Sequence, residues 1–244
     1  MKSLFIAWQD PETRLWYTVG SLTREDGVYR FVYTQGAEAT PRFSCLGRMT
    51  DLNAEYFSED LFPLFRNRLL YASRPEYPDY VRWLDMENKN NDPLLLLGRS
   101  GGKRATDSLC VFPEPEPDAQ GEYSVYFFSH GLRYLDQINL EGLTRLQTGD
   151  ILRLKREDHN EHDRFALVLE TDEKLKVGYC PRYLNKELRR VQEATTLRLI
   201  VEKVNPEAPL HFRLLCRTSF HLPKGMDLFT SEEYQPLSKV LLAA

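Results

Sequence analysis

His159-x-x-His162, with Asp158 and Asp163 beside it, sets two imidazoles near two carboxylates. Those groups can ligate zinc, but the spacing matches no common zinc pattern and no Cys pair supports it. Solvated loop residues are the expectation, with no metal and no other cofactor. A second concentration of chemistry is cationic. Lys174, Lys176, Arg182, Lys186, Arg189 and Arg190 are opposed only by Glu187. On a helix opening at Pro181, Arg182, Lys186 and Arg189/Arg190 recur at i, i+4 and i+7/i+8 and share one face. Such a face either tracks phosphates or is simply solvated. Gly98-Arg99-Ser100-Gly101-Gly102-Lys103 resembles half a phosphate loop, but G-x-x-x-x-G-K is absent, so a flexible turn is expected. No paired carboxylates or activated nucleophile stand out. No catalytic residue is assigned, and the expectation is a binding protein rather than an enzyme.

The elements that must position these groups fall into two halves. The chain has 244 residues, 42% apolar and 28% charged, with a net charge of −4. That is an ordinary globular composition and excludes a strongly basic nucleic-acid coat protein. Residues 1–120 hold 14 basic and 18 acidic residues, whereas residues 121–244 hold 18 of each and all five histidines. Pro113, Pro115 and Pro117 alternate with acids ahead of Gly121 and read as a stiff, extended linker. The expected division is a domain at 1–117, the end of the linker at 118–122, a domain at 123–220 and a tail at 221–244. Leu4–Trp8, Arg14–Leu22 and Val28–Thr34 read as an antiparallel meander with turns at Asp10-Pro11 and Asp26-Gly27. Helices are expected from Ser58-Glu59-Asp60 through Leu70, at Tyr77–Leu84 and at Asp92–Leu97, with a closing strand at Leu109–Phe112. After the linker come six strands: Tyr123–Ser129, Ile151–Arg156, Phe165–Thr171, Lys176–Cys180, Thr196–Val204 and His211–Thr218. One helix is expected there, at Pro181–Gln192. The fold class is α+β, a meander with short helices followed by a small OB-like β-barrel with one helix. The opening lacks a signal-peptide pattern and no run reaches the length of a membrane span. Cys45, Cys110, Cys180 and Cys216 form no C-x-x-C pair, so reduced thiols and a cytoplasmic location are expected.

Four segments of the second half carry a family resemblance. They are Gly131-Leu132-Arg133-Tyr134, the stretch from Gly149-Asp150-Ile151 through Arg156-Glu157 to Asn160 and Asp163, then Phe165-Ala166-Leu167-Val168, and Val177-Gly178-Tyr179-Cys180-Pro181-Arg182. In order, spacing and strand context this resembles the HIRAN family. The resemblance implies an OB-like barrel that grips the 3′ end of single-stranded DNA. It assigns Asp163 to accept the terminal hydroxyl proton and Arg133 and Tyr134 to phosphate and base. Tyr179, His162 and Phe212 add contacts, and Arg182 and Lys186 line the strand's path. His162 stands where the family carries tyrosine and Asp158 where it carries proline. Glu157, Asp158 and Glu161 make the loop more acidic than the pattern, and the segment Leu135–Gln147 is long.

The first half is similar to the N-terminal subdomain of HipA-type serine/threonine kinases. The carrying residues are Trp8, Val19-Gly20-Ser21-Leu22, Val28–Tyr33, Leu61–Leu70 and Pro93–Gly98. No kinase core follows. The resemblance implies a protein-interaction domain whose partner is a HipA-like kinase, as in toxin–antitoxin pairs. A DNA repair or restriction protein is the other partner class.

Overall fold

The computed structural model describes residues 3–87 and 92–238. It divides into two compact units. One comprises Met1–Tyr77, Lys89–Glu114 and Phe229–Ala244, the other Pro78–Asn88 and Pro115–Leu228. Both are α+β with antiparallel sheets.

In the first unit, β1 (Ser3–Gln9), β2 (Trp16–Glu25), β3 (Val28–Tyr33), β4 (Glu55–Ser58) and β5 (Leu109–Pro113) form a sheet ordered β4-β3-β2-β1-β5. The expected meander is present. Its β2–β3 hairpin turns at Asp26 and Gly27, both at positive φ, as a two-residue turn matched to strand twist demands. One face buries Leu4, Ile6, Leu22 and Phe31 with Phe65 and Leu97. On β1, Phe5 packs instead on Phe112, Phe229 and Tyr234. The expected helix from Ser58 to Leu70 is corrected. Ser58 ends β4, and helix α1 is only Pro63–Arg66. Pro63 holds Phe62 extended (φ −47°, ψ 138°), which bars an earlier start. Past Arg66 the chain bends to bury Arg68, whose guanidinium donates to the Gly102 carbonyl at 2.9 Å and pairs with Asp107 at 2.6 Å. Helix α2 (Tyr77–Trp83) belongs mainly to the second unit, and α3 (Pro93–Ser100) is capped by Asp92. The half phosphate loop is the end of α3, with Gly101 as a left-handed cap at φ 76°.

The second unit holds β6 (Glu122–Phe128), β7 (Ile151–Arg156), β8 (Leu167–Glu170), β9 (Lys176–Tyr179), β10 (Arg198–Val204) and β11 (Leu214–His221), in the order β6-β11-β10-β7-β8-β9. The sheet curls until its two ends meet. His130, just past β6, exchanges two backbone hydrogen bonds of 2.9 Å with Tyr179 of β9. The strand expected at His211–Thr218 begins later, at Leu214, because Leu210–Phe212 forms a 3-10 turn. Two helices follow strands here rather than one. Besides α5 (Arg182–Ala194), the long segment Leu135–Gln147 folds as α4 (Gln137–Arg145), capped by Asp136. Gly142 weakens its helical signal, yet a side chain there would strike Leu175, so the glycine admits the close approach of helix to hairpin.

The chain is interleaved relative to a cut at 118–122. Residues 78–87 pack with the second unit, where the Asn205 amide donates to the Trp83 carbonyl at 3.0 Å and Lys203 pairs with Glu87 at 3.3 Å. The tail returns to the first unit through Phe229 and Tyr234, both buried, and through a 2.8 Å bond from the Leu237 N–H to the Tyr33 carbonyl. The end of the expected tail, 239–244, lies outside the described residues. Among the described residues no helix is long and apolar enough to cross a membrane.

Candidate nucleic-acid interface

The place where the sheet closes on itself builds the first half of the site. Gly178 sits at φ 113°, and a Cβ there would fall 1.9 Å from Ser129 Oγ, so only glycine lets the two sheet ends meet. Ser129 Oγ donates to the Val177 carbonyl at 2.8 Å across the same seam. Gly131, at φ 77°, then turns the chain against the Tyr179 ring. The following 3-10 turn, Leu132–Tyr134, buries Leu132 and throws Arg133 and Tyr134 outward. The Arg133 guanidinium lies 4.6 Å from the Tyr134 ring centroid and donates to its hydroxyl. Tyr134 is 75% exposed. A large aromatic face open to water and backed by a cation is suited to stacking on a base.

The loop between β7 and β8 builds the second half. Asn160 Oδ1 accepts from the N–H groups of His162 and Asp163, both at 3.0 Å. Asp163 Oδ1 accepts from the Phe165 N–H at 2.9 Å, and Oδ2 accepts from Asn185 Nδ2 at 2.6 Å. Each carboxylate oxygen keeps a lone pair for a further donor. Asp163 is half-buried and fixed from two sides, while His162 is exposed. Asn185, on α5, is buried. Because its amide nitrogen faces an acceptor, the orientation of its amide is set.

A polar relay joins the halves. Glu157 accepts from Tyr179 Oη at 2.9 Å, from Lys176 Nζ at 3.1 Å and from Asn160 Nδ2 at 2.5 Å. Burial pushes the Glu157 carboxyl up, but these three donors outweigh it and hold it below the ordinary range. Tyr179 is therefore locked in place, connecting the closing seam to the Asp163 loop.

Three cations of the expected basic group are paired within the protein. Arg189 donates to the Phe165 and Ala166 carbonyls at 2.9 and 2.8 Å and pairs with Asp158. Arg190 pairs with Glu187 at 2.8 Å and Lys176 with Glu157, so these three cations hold the fold together. Lys186 is exposed on α5, 5.9 Å from the Phe165 ring, and Arg182 is half-buried. Arg164, unnoticed in the sequence, lies exposed 4.7 Å from the same ring. Phe212 is placed on the Leu210–Phe212 turn, which packs beside the Leu132–Tyr134 turn. Its ring meets Phe128 at 5.1 Å and stacks on Trp83 at 6.1 Å, so it serves first as packing. Asn160 was legible as an Asn-x-x-Asp turn. Asn185 and Trp83 gave no signal, because their partners lie 22 and 129 positions away in sequence.

The family model of the HIRAN domain matches residues 122–223. Those residues are a HIRAN domain. Among solved structures, a protein from Lactobacillus plantarum is 27% identical over 41% of this chain and 100% of that one, with a TM-score of 0.33. The HIRAN domain of human HLTF is 17% identical over 42% of this chain and 81% of that one, also with a TM-score of 0.33. Comparison with curated proteins gave no match.

Proposed function

We propose that the HIRAN domain of this chain captures the free 3′ end of single-stranded DNA. HIRAN domains are nucleic-acid-binding modules, which gives the ligand class. The observation that carries the finer reading is the fixed Asp163 carboxylate, tied through Asn160, Glu157 and Tyr179 to the turn bearing Arg133 and Tyr134. A terminal hydroxyl donates to the carboxylate, the base stacks on Tyr134, and Arg133 meets phosphate. His162 is exposed beside Asp163 and keeps the aromatic role that the family gives to tyrosine. Lys186 and Arg164, flanking Phe165, supply the positive field along the strand, with Arg182 on the same helix. The protein acts by binding, without catalysis. The first unit serves as its protein-interaction domain. The HipA-like kinase partner rests on the resemblance of the first half's strand and helix motifs alone. Competition binding of oligonucleotides ending in 3′-hydroxyl or 3′-phosphate tests the reading. Capture predicts a clear preference for the hydroxyl, and equal affinities would reduce the site to generic single-strand binding.

A further inference from the structure

Residues 78–87 lie more than thirty positions before the HIRAN domain begins, yet they pack on it. Tyr80, Val81, Leu84 and Met86 are buried and anchor the segment. Asn205 holds the Trp83 carbonyl at 3.0 Å, and Lys203 neutralises Asp85 and Glu87 at 3.8 and 3.3 Å. Trp83 is the large side chain of this segment left half-exposed. It stacks on Phe212 with an interplanar angle of 30°, and the exposed His211 ring lies 4.2 Å from Phe212. The turn carrying His211 and Phe212 adjoins the turn carrying Tyr134. Aromatic side chains are therefore carried on neighbouring elements: Tyr134 on one turn, His211 and Phe212 on the adjoining turn, and Trp83 stacked on Phe212. Single-stranded nucleic acid is held by such successions, because every base offers a π-face.

We propose that Trp83 is a DNA-contacting residue that extends the strand-binding surface beyond the HIRAN domain and stacks on a nucleotide upstream of the 3′ end. The inference rests on the 3′-end reading. The terminal nucleotide occupies Asp163 and Tyr134, and the strand then passes over the Leu210–Phe212 turn to reach Trp83. The helix from the N-terminal half thus sets how many nucleotides are gripped, while the domain itself selects the end.

The test uses the full chain with Trp8→Phe and Trp16→Phe, which leaves Trp83 as the single tryptophan of the three. Titration with octathymidylate is expected to quench its emission, and titration with dithymidylate to leave it unchanged. Trp83→Leu is expected to weaken octathymidylate binding about 5- to 150-fold, the range for loss of one stacked base. It leaves dithymidylate affinity unaltered, and Trp83→Phe recovers most of the loss. Tyr134→Ala weakens both ligands. Failure of the intact protein to bind either oligonucleotide would sink the 3′-end reading and this inference with it. Tyr134-dependent binding with unchanged Trp83 emission would overturn this inference alone. So would tighter binding by Trp83→Leu, which would make Trp83 a plug over Phe212.

Discussion

Asp163→Asn is the sharpest perturbation of the site, because it alters charge while nearly preserving shape. In the wild type Asp163 Oδ1 accepts from the Phe165 N–H and Oδ2 from Asn185. In the variant Oδ1 keeps its bond and the new amide nitrogen faces the nitrogen of Asn185. Asn185 Oδ1 is buried with no hydrogen-bond partner. Rotating the Asn185 amide by half a turn turns that oxygen toward the new donor and restores the contact. The rotation leaves a buried donor unpaired in place of a buried acceptor, so fold stability changes little. Binding changes more. A hydrogen bond from the 3′-hydroxyl to a charged acceptor is worth about 1.5–3 kcal/mol, so its loss weakens a 3′-hydroxyl oligonucleotide about 10- to 150-fold. A 3′-phosphate meets the opposite change. Like unit charges about 4 Å apart repel by roughly 4 kcal/mol at an effective dielectric near 20, before salt screening. Removing the charge at Asp163 lifts that penalty. Fluorescence anisotropy with both oligonucleotides at one fixed salt concentration reads the ratio of affinities, and a thermal melt checks the fold. The wild-type preference for the hydroxyl should collapse toward unity. A variant that melts normally and keeps the full preference would show that Asp163 does not face the terminal hydroxyl.

The remaining predictions concern neighbouring groups. Tyr134→Ala should weaken binding by about 1–3 kcal/mol with an unchanged melting temperature, since the ring is 75% exposed; Arg133→Ala should also flatten the log–log salt slope by about 0.7. Burial raises the Glu157 carboxyl, but Asn160, Lys176 and Tyr179 outweigh it, so its folded value lies below the unfolded one of about 4.3. Its contribution is therefore present above that pH and lost as pH falls through the folded value, and Glu157→Gln should flatten the acid limb of melting temperature against pH. A chain cut at residue 118 separates Phe229 and Tyr234 from Phe5 and Phe112; at about 1.5–3 kcal/mol for each aromatic, residues 1–118 alone should melt far below the first unit in the intact protein, as calorimetry would show.

What was legible in the sequence is what depends on local pattern. The Asp26-Gly27 hairpin, the alternating strands and the Asp92-Pro93 helix start are each written in a few adjacent residues, and they form as expected. The motif Gly131–Tyr134 was readable because a left-handed glycine and an outward-facing pair need no distant partner. Long-range pairing was not readable. Arg189 looks like a solvent-facing cation at helical spacing, but its carbonyl partners lie on the β7–β8 loop. Glu55–Ser58 forms an edge strand only because β3 offers a free edge. The linker prolines coincide with the change of unit after Glu114 but say nothing of residues 78–87 or 229–238, which pack in the unit opposite to the one their sequence position suggests.

The acidity of the Asp163 loop, which sets this chain apart from the family pattern, also has a structural answer. Four carboxylates between Glu157 and Asp163 would repel a phosphate backbone if all were open to it. Glu157 is paired with Lys176 at 3.1 Å, and Asp158 with Arg189 at 2.5 Å, and both carboxyls are held below their ordinary range by those cations among other donors. Glu161 is open to solvent, where water and salt screen its charge. Asp163 differs from those two pairs, for its fixed neighbours are an Asn185 amide and the Phe165 N–H. Neutral donors orient a carboxylate without cancelling its charge. The loop can therefore be acidic in sequence and still present an oriented acceptor at Asp163, which is the condition for accepting a hydroxyl and rejecting a phosphate at the same place.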